Sequence, residues 1–214
     1  LDESALQRPV ESAVKGGTPV VIIDSALQGD DFSSFIATDN YKGGELAARS
    51  LAESTGETGT VLVIRYQEGS ASTMNREQGF IDVMKAEYPN MTVVGQDQYV
   101  GATAAKAQPV IDTMLTRYQD SGLVGIFASN ESSGRAALLA LQDYNDADSI
   151  KYVCFDTSEK LNTALDEGKI SALIVQDPVK MGYLGVKTIV QILNGEEVPE
   201  RIDTGVSVIT KENM

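Results

Sequence analysis

Short apolar runs rich in β-branched residues punctuate this chain, and longer stretches of helical period separate them. The runs are PVVIID (19–24), SFIATD (34–39), TVLVIRY (60–66), TVVGQDQY (92–99), LVGIFASN (123–130), IKYVCFD (150–156) and SALIVQD (171–177). They are continuous rather than alternating, as expected of strands covered on both faces. Helical period is strongest over 41–53, 74–87, 131–144, 157–167 and 178–194. ATAAKAQPVIDTMLTRY reads as one further helix except for Pro109, so it either starts near Gln108 or is kinked there. Strand and helix in alternation predict βαβ units and parallel sheets.

The punctuation agrees with these elements. Pro178 opens the last long helix, where its missing N–H costs nothing, and Asn194-Gly195 closes it. Asp156-Thr157-Ser158 supplies N-cap chemistry for the helix that follows. SFIATD runs into NYKGGELAA, and SALIVQD into PVKMGYLGV. Both strands end in an acid and then turn, which suggests crossings between two lobes.

The carboxyl ends of the strands collect polar side chains. Asp24 and Ser25 follow the first run, Asp39 and Asn40 the second, and Arg76 the loop after the third. Asp97 and Tyr99 close the fourth, Asn130 and Glu131 the fifth, Asp156 the sixth, Gln176 and Asp177 the seventh. Ligands of open α/β sheets bind beyond these ends. Carboxylates accept from hydroxyls, arginine donates in a planar fork, and amides do both. A tyrosine ring can lie against the C–H face of a small polar ligand. The mixture suits a polyhydroxylated molecule. Strand-end polar residues also serve as helix caps, and Asp39 and Asp177, each at a proposed crossing, look more structural than Asp24 and Asp156. Tyr41-Lys42-Gly43-Gly44 is the nearest thing to a phosphate loop and lacks the spacing of one.

Composition narrows the chemistry. The 214 residues are 42% hydrophobic, suited to a chain that buries a real core, and carry a formal net charge of −14. That charge repels phosphate backbones and argues against nucleic-acid binding. There is no histidine, so the commonest general base and metal ligand are both missing; no metal and no cofactor is called for. The lone cysteine, Cys154, reads as a small buried strand residue. LDESALQRPV begins without methionine or a signal-like segment and reads as loop and helix inside a fold, so the compartment is not legible in the residues.

Taken in order, TPVVIIDSAL, IATDNYKGGELAA, NREQGF, GIFASNESSG, YVCFDTSEKLNTALDEGKISALIVQDPVKMGYLGV and VPERIDTGVSVIT resemble the periplasmic sugar-binding proteins of ABC importers, within the ribose-binding-protein group. The resemblance runs the length of the chain. It implies a type I periplasmic binding protein: an α/β fold of two lobes, parallel sheets with helices on both faces, three crossings, and closure on one monosaccharide. It divides the chain into a partial N-terminal lobe (1–38 and 177–204) and a C-terminal lobe with its hinge crossing (39–176 and 205–214). It places ligand-binding roles on Asp24, Arg76, Asn130, Asp156 and Gln176, with an aromatic position on or next to Tyr99. The bland alternative for Arg76 is a helix-surface arginine.

Two departures stand out. Ribose binders carry arginine where this chain has Ser25, a shorter neutral side chain that leaves room. A different pentose, a hexose or a polyol therefore stands beside ribose as ligand. Leu1-Asp2-Glu3 matches the loop after the family's third strand, so a proteolysed or truncated product, or an altered gene start, is expected. Helix faces left uncovered would then favour self-association or disorder. The implied partners are a sugar and a membrane permease, and the implied location is periplasmic or extracytoplasmic. The effector-sensing domain of a LacI-type repressor shares the fold and is the alternative function. Hydrolysis by Asp24 and Asp156 is a weaker one, because hydroxyl acceptance explains both carboxylates without catalysis.

Overall fold

A computed structural model describes residues 2–142, 144 and 149–214. Its strands form two sheets, each crossed by helices. The smaller has three parallel strands in the order β1 (Val21–Ile23), β2 (Ser34–Ala37), β8 (Arg201–Asp203). The larger has six, ordered β4 (Met91–Val94), β3 (Gly59–Ile64), β5 (Leu123–Ala128), β6 (Lys151–Phe155), β7 (Ala172–Val175), β9 (Ser207–Ile209), with only β9 antiparallel. Its first five strands follow the doubly wound order 2-1-3-4-5. The topological switch point, the crevice where such sheets bind ligands, therefore lies between β3 and β5.

Apolar runs covered on both sides explain the large sheet. One face packs against α2 (Asn40–Thr55) and α3 (Ala71–Glu87) through Ala48, Leu51, Phe80, Val83 and Met84. The Phe80 and Phe127 rings stack there at 4.6 Å. The other face packs against α4 (Ala104–Tyr118), α5 (Glu131–Gln142) and α6 (Glu159–Asp166) through Ile111, Met114, Ala137, Leu161 and Leu165. Cys154 is fully buried in this layer, and burial pushes its thiol up.

The small sheet is covered more thinly. The last long helix, α7 (Pro178–Leu193), packs on β1 and β2, while α1 (Gln7–Lys15) buries no residue completely. Val179, Tyr183, Val186, Val190 and Leu193 form an exposed stripe along α7.

The chain passes between the sheets three times: from β2 into α2, from β7 into α7, and from β8 into β9. The crossings are tied together. The Thr38 and Thr204 hydroxyls lie 3.3 Å apart, Arg201 donates to the Thr38 carbonyl, and Lys180 donates to that of Thr204. Asp39 and Asp177 do cap: their carboxylates accept from the Lys42 and Lys180 amides at the starts of α2 and α7.

Two sequence expectations need correction, and two strands are additional. TVVGQDQY is not strand throughout. β4 stops at Val94 because Gly95 takes a left-handed φ of 83° against Leu62, and Tyr99 returns only as an isolated bridge to Arg65. The Pro109 helix starts at Ala104, capped by Thr103, and includes the proline, so the start near Gln108 is the alternative that falls. The strands β8 and β9 were not expected at all. Of the helix expected over 131–144, position 143 lies outside the described residues, as does Leu1.

Candidate functional site

The centre of the site is Arg76, the sixth residue of α3, only 2% exposed. It is not a helix-surface arginine. Its guanidinium lies 3.6 Å from the Phe155 ring centroid. Nε donates to Asn40 Oδ1 at 2.8 Å, and Nη1 donates to the Ser129 carbonyl at 3.1 Å. Nη1 also lies 3.6 Å from Asp156 Oδ2. Burial pushes the guanidinium below its ordinary value, and the carboxylates of Asp156 and Asp24 push it back.

Asp24 and Asp156 occupy matching positions on the two sheets. Each extends its strand's ladder by one bond, Asp24 N–H to Ile36 and Asp156 N–H to Ile174, and then turns away. Both do so with left-handed backbones, at φ 69° and 70°. That region is uncommon for residues other than glycine, though aspartate and asparagine tolerate it. Backbone of this kind concentrates at ligand sites. Gln176, beyond β7, donates from Nε2 to Asp156 Oδ1 at 2.7 Å. Its other end is odd: Oε1 is buried and has no hydrogen-bond partner among the described residues. Buried acceptors are rarely left so.

Burial pushes the Asp24 carboxyl up, Asp156 adds to this, and Arg76 opposes it. A carboxyl raised in the folded state stabilises the fold most while protonated. That contribution is complete below the unfolded-chain value and is lost as pH rises through the folded value. Asp24→Asn keeps tolerance of the left-handed backbone and removes the charge. It is expected to hold or raise the ligand-free melting temperature near neutral pH, and to flatten its pH dependence just above the ordinary aspartate range, about 4. Melting curves from about pH 4 to 7 check this; a clear loss of stability near neutrality contradicts it.

The other sequence candidates are placed differently. Asn130 caps α5: Oδ1 accepts from the Ser133 amide and hydroxyl, and Nδ2 donates to Ser132. Ser25 Oγ accepts from the Ser72 amide at 3.3 Å, supplying α3 with the side-chain cap that Ser70 does not make, and so ties the small sheet to that helix. Tyr99 belongs to a second group. The Arg65 guanidinium covers one face of its ring at 4.2 Å and donates to its hydroxyl at 2.6 Å. Arg76, Asp156 and Gln176 thus form one connected cluster, Asp24 feels the charges of Arg76 and Asp156, and Tyr99 is bonded to Arg65 instead.

Sequence reasoning named Asn40 among the polar strand ends without giving it a ligand role, and passed over Phe155, Ser129 and Glu77. Asn40 and Phe155 stood beside strand-end acids already singled out, and Glu77 follows Arg76 directly. The glycine pair of YKGG is packing rather than phosphate binding. A side chain at Gly43 would run into the Phe155 ring, and one at Gly44 into the Arg76 peptide. α2 therefore lies directly on α3 and fixes where Arg76 stands.

Polar side chains gathered past the carboxyl ends of two parallel sheets, joined by three crossings, define the type I periplasmic binding architecture. Residues 1–197 match the family described as periplasmic binding protein domain, and the chain belongs to it. It is 28% identical over 211 residues to the ribose import binding protein of Escherichia coli, covering 99% of this chain and 69% of that protein. Among solved structures, a carbohydrate transporter solute-binding protein from Agrobacterium radiobacter in complex with D-arabinose superposes with a TM-score of 0.92 and 34% identity, covering 100% of this chain and 72% of that one. A solute-binding protein from Agrobacterium vitis with bound D-fucose gives 0.92 and 34%, covering 99% and 73%.

Proposed function

We propose that this chain captures a monosaccharide, whether pentose, hexose or polyol, for an ABC importer outside the cytoplasm. The observation that carries the reading is the unpartnered Gln176 Oε1 beside Asp156 and Arg76. A neighbouring sugar hydroxyl would satisfy this acceptor, while Asp24 and Asp156 accept from others and Arg76 Nη2 donates. The relatives' own ligands, D-arabinose and D-fucose among them, are of this class. The two sheets act as lobes that close on the ligand about the three crossings, as hinged binding proteins do. No bond is broken, and release passes the sugar to a membrane permease. With serine at position 25 the site offers one hydroxyl where ribose binders offer a guanidinium, so selectivity is expected to differ from theirs.

A thermal-shift screen of this chain against D-ribose, D-arabinose, D-allose, D-tagatose, D-fucose and xylitol tests the reading. Ligand that binds only the folded state must raise the melting temperature, by about 2.7 kcal/mol of stabilisation at a hundredfold excess over Kd. A shift with one or a few of these is expected, and no shift with any overturns the reading.

A further inference from the structure

Arg76 is followed on α3 by a second buried charge. Glu77 is 1% exposed. Its Oε1 accepts from the Tyr66 amide and from the Ser129 hydroxyl, both at 2.9 Å, and its Oε2 accepts from Arg65 Nε at 2.9 Å. Tyr66 follows β3 and Ser129 follows β5, so this one carboxylate spans the switch point of the large sheet.

Two of these partners lead on, one to Arg76 of the cluster and one to Tyr99, the aromatic position expected from the sequence. The Ser129 carbonyl accepts from Arg76 Nη1. Arg65 turns its remaining donors to the Gln96 carbonyl at 2.7 Å and the Tyr99 hydroxyl at 2.6 Å. Arg76 and Tyr99 are therefore both held from the same carboxylate. All three of its partners are donors, which suits the ionised form. Burial pushes the carboxyl up, and the Tyr66 amide, Arg65 and Ser129 hold it down. Buried ion pairs add little net stability compared with a well-packed apolar side chain. What this one supplies is geometry.

We propose that Glu77 is a positioning residue of the ligand site, setting Arg76 through Ser129 and Tyr99 through Arg65. The proposal rests on the sugar-site reading above, so its test carries one arm that needs no sugar. In the ligand-free protein, the Arg76 side-chain Nε–H, buried and donated to Asn40, reports by NMR where the guanidinium sits. Glu77→Gln sets an amide donor against Arg65 or the Ser129 hydroxyl. Ser129→Ala removes only the hydroxyl, keeping the carbonyl that Arg76 uses. Both variants are expected to fold, to move the Arg76 resonance, and to weaken D-arabinose and D-ribose binding by about tenfold in calorimetry, with the double variant no weaker than the weaker single. Such non-additivity is what a shared route predicts and what a merely structural loss does not give. An Arg76 resonance unmoved in both variants, or unchanged affinity in either, overturns the proposal. If the wild type binds neither sugar, the sugar reading falls for these two ligands, and the Arg76 resonance alone decides the positioning role.

Discussion

Arg76→Ala is expected to weaken sugar binding by more than tenfold and to lower the melting temperature by roughly 6–12 °C, the equivalent of about 3 kcal/mol in a chain of this size. The two losses share a cause. The guanidinium lies beside Asp156, feels the charge of Asp24, covers the Phe155 ring and holds the Ser129 carbonyl. Removing it leaves Asn40 Oδ1 and that carbonyl unpaired and sets two carboxylates against each other, and a stranded buried polar group costs more than its hydrogen bond returned. Arg76→Lys separates the contributions. A lysine restores the charge but cannot span Asn40 and Ser129, since the planar fork is lost. Stability should recover in part and affinity should not. Calorimetry with a sugar that shifts the wild type, beside melting curves of both variants, checks this; wild-type affinity in Arg76→Ala would remove Arg76 from the site.

Gly44→Ala is expected to cost about as much stability as Arg76→Ala, although it adds only a methyl group. A Cβ there would overlap the Arg76 carbonyl oxygen and lie 2.8 Å from the Phe80 amide nitrogen. Both are backbone atoms inside a helix and cannot turn aside. On the facing helix a Cβ at Gly79 would meet the Tyr41 carbonyl in the same way, so α2 and α3 can only part. Overpacking of this kind costs roughly 1–3 kcal/mol, more where backbone must move. Because the peptide displaced is that of Arg76, affinity should fall as well. Gly182→Ala is the control. It lies inside α7 with open space around its missing Cβ, and should be neutral or gain up to about 1 kcal/mol from helix propensity. Urea denaturation of the two variants distinguishes them, and a Gly44→Ala protein as stable as Gly182→Ala would contradict the tight α2–α3 contact.

Much of this architecture was legible because its signals are local. Runs such as TVLVIRY and LVGIFASN are covered on both sides, so their apolar character is continuous and their ends are marked by polar residues. The caps at Asp39, Ser158 and Asp177 follow from short-range chemistry. The short strands β8 and β9 were not legible: RID and SVI are three residues each, too short to carry a strand pattern, and pairing with β2 and β7 makes them strands. Likewise Gly95 ends β4 because Leu62 and Met114 crowd it, which no local pattern shows.

The site divides along the same line. Asp24, Asp156 and Gln176 stand at strand ends, where chain position alone points to the candidate site. Asn130 stands there too, yet its side chain is committed to capping α5. Arg76 is central for a reason the sequence holds only in pieces. Glycines 33 and 32 residues upstream of it bring α2 close, and Ser129, a β5 neighbour 53 residues downstream, receives its donor. Glu77 was hidden by its neighbour, since a charged pair on a helix reads as solvated surface until both members prove buried.

A crystal structure of this chain with the sugar that most raises its melting temperature tests the central claim most directly. The expected result is one sugar touching Asp24, Arg76, Asp156 and Gln176 together, with a sugar hydroxyl donating to Gln176 Oε1. A sugar bound elsewhere, or bound with Gln176 Oε1 still lacking a partner, would contradict it.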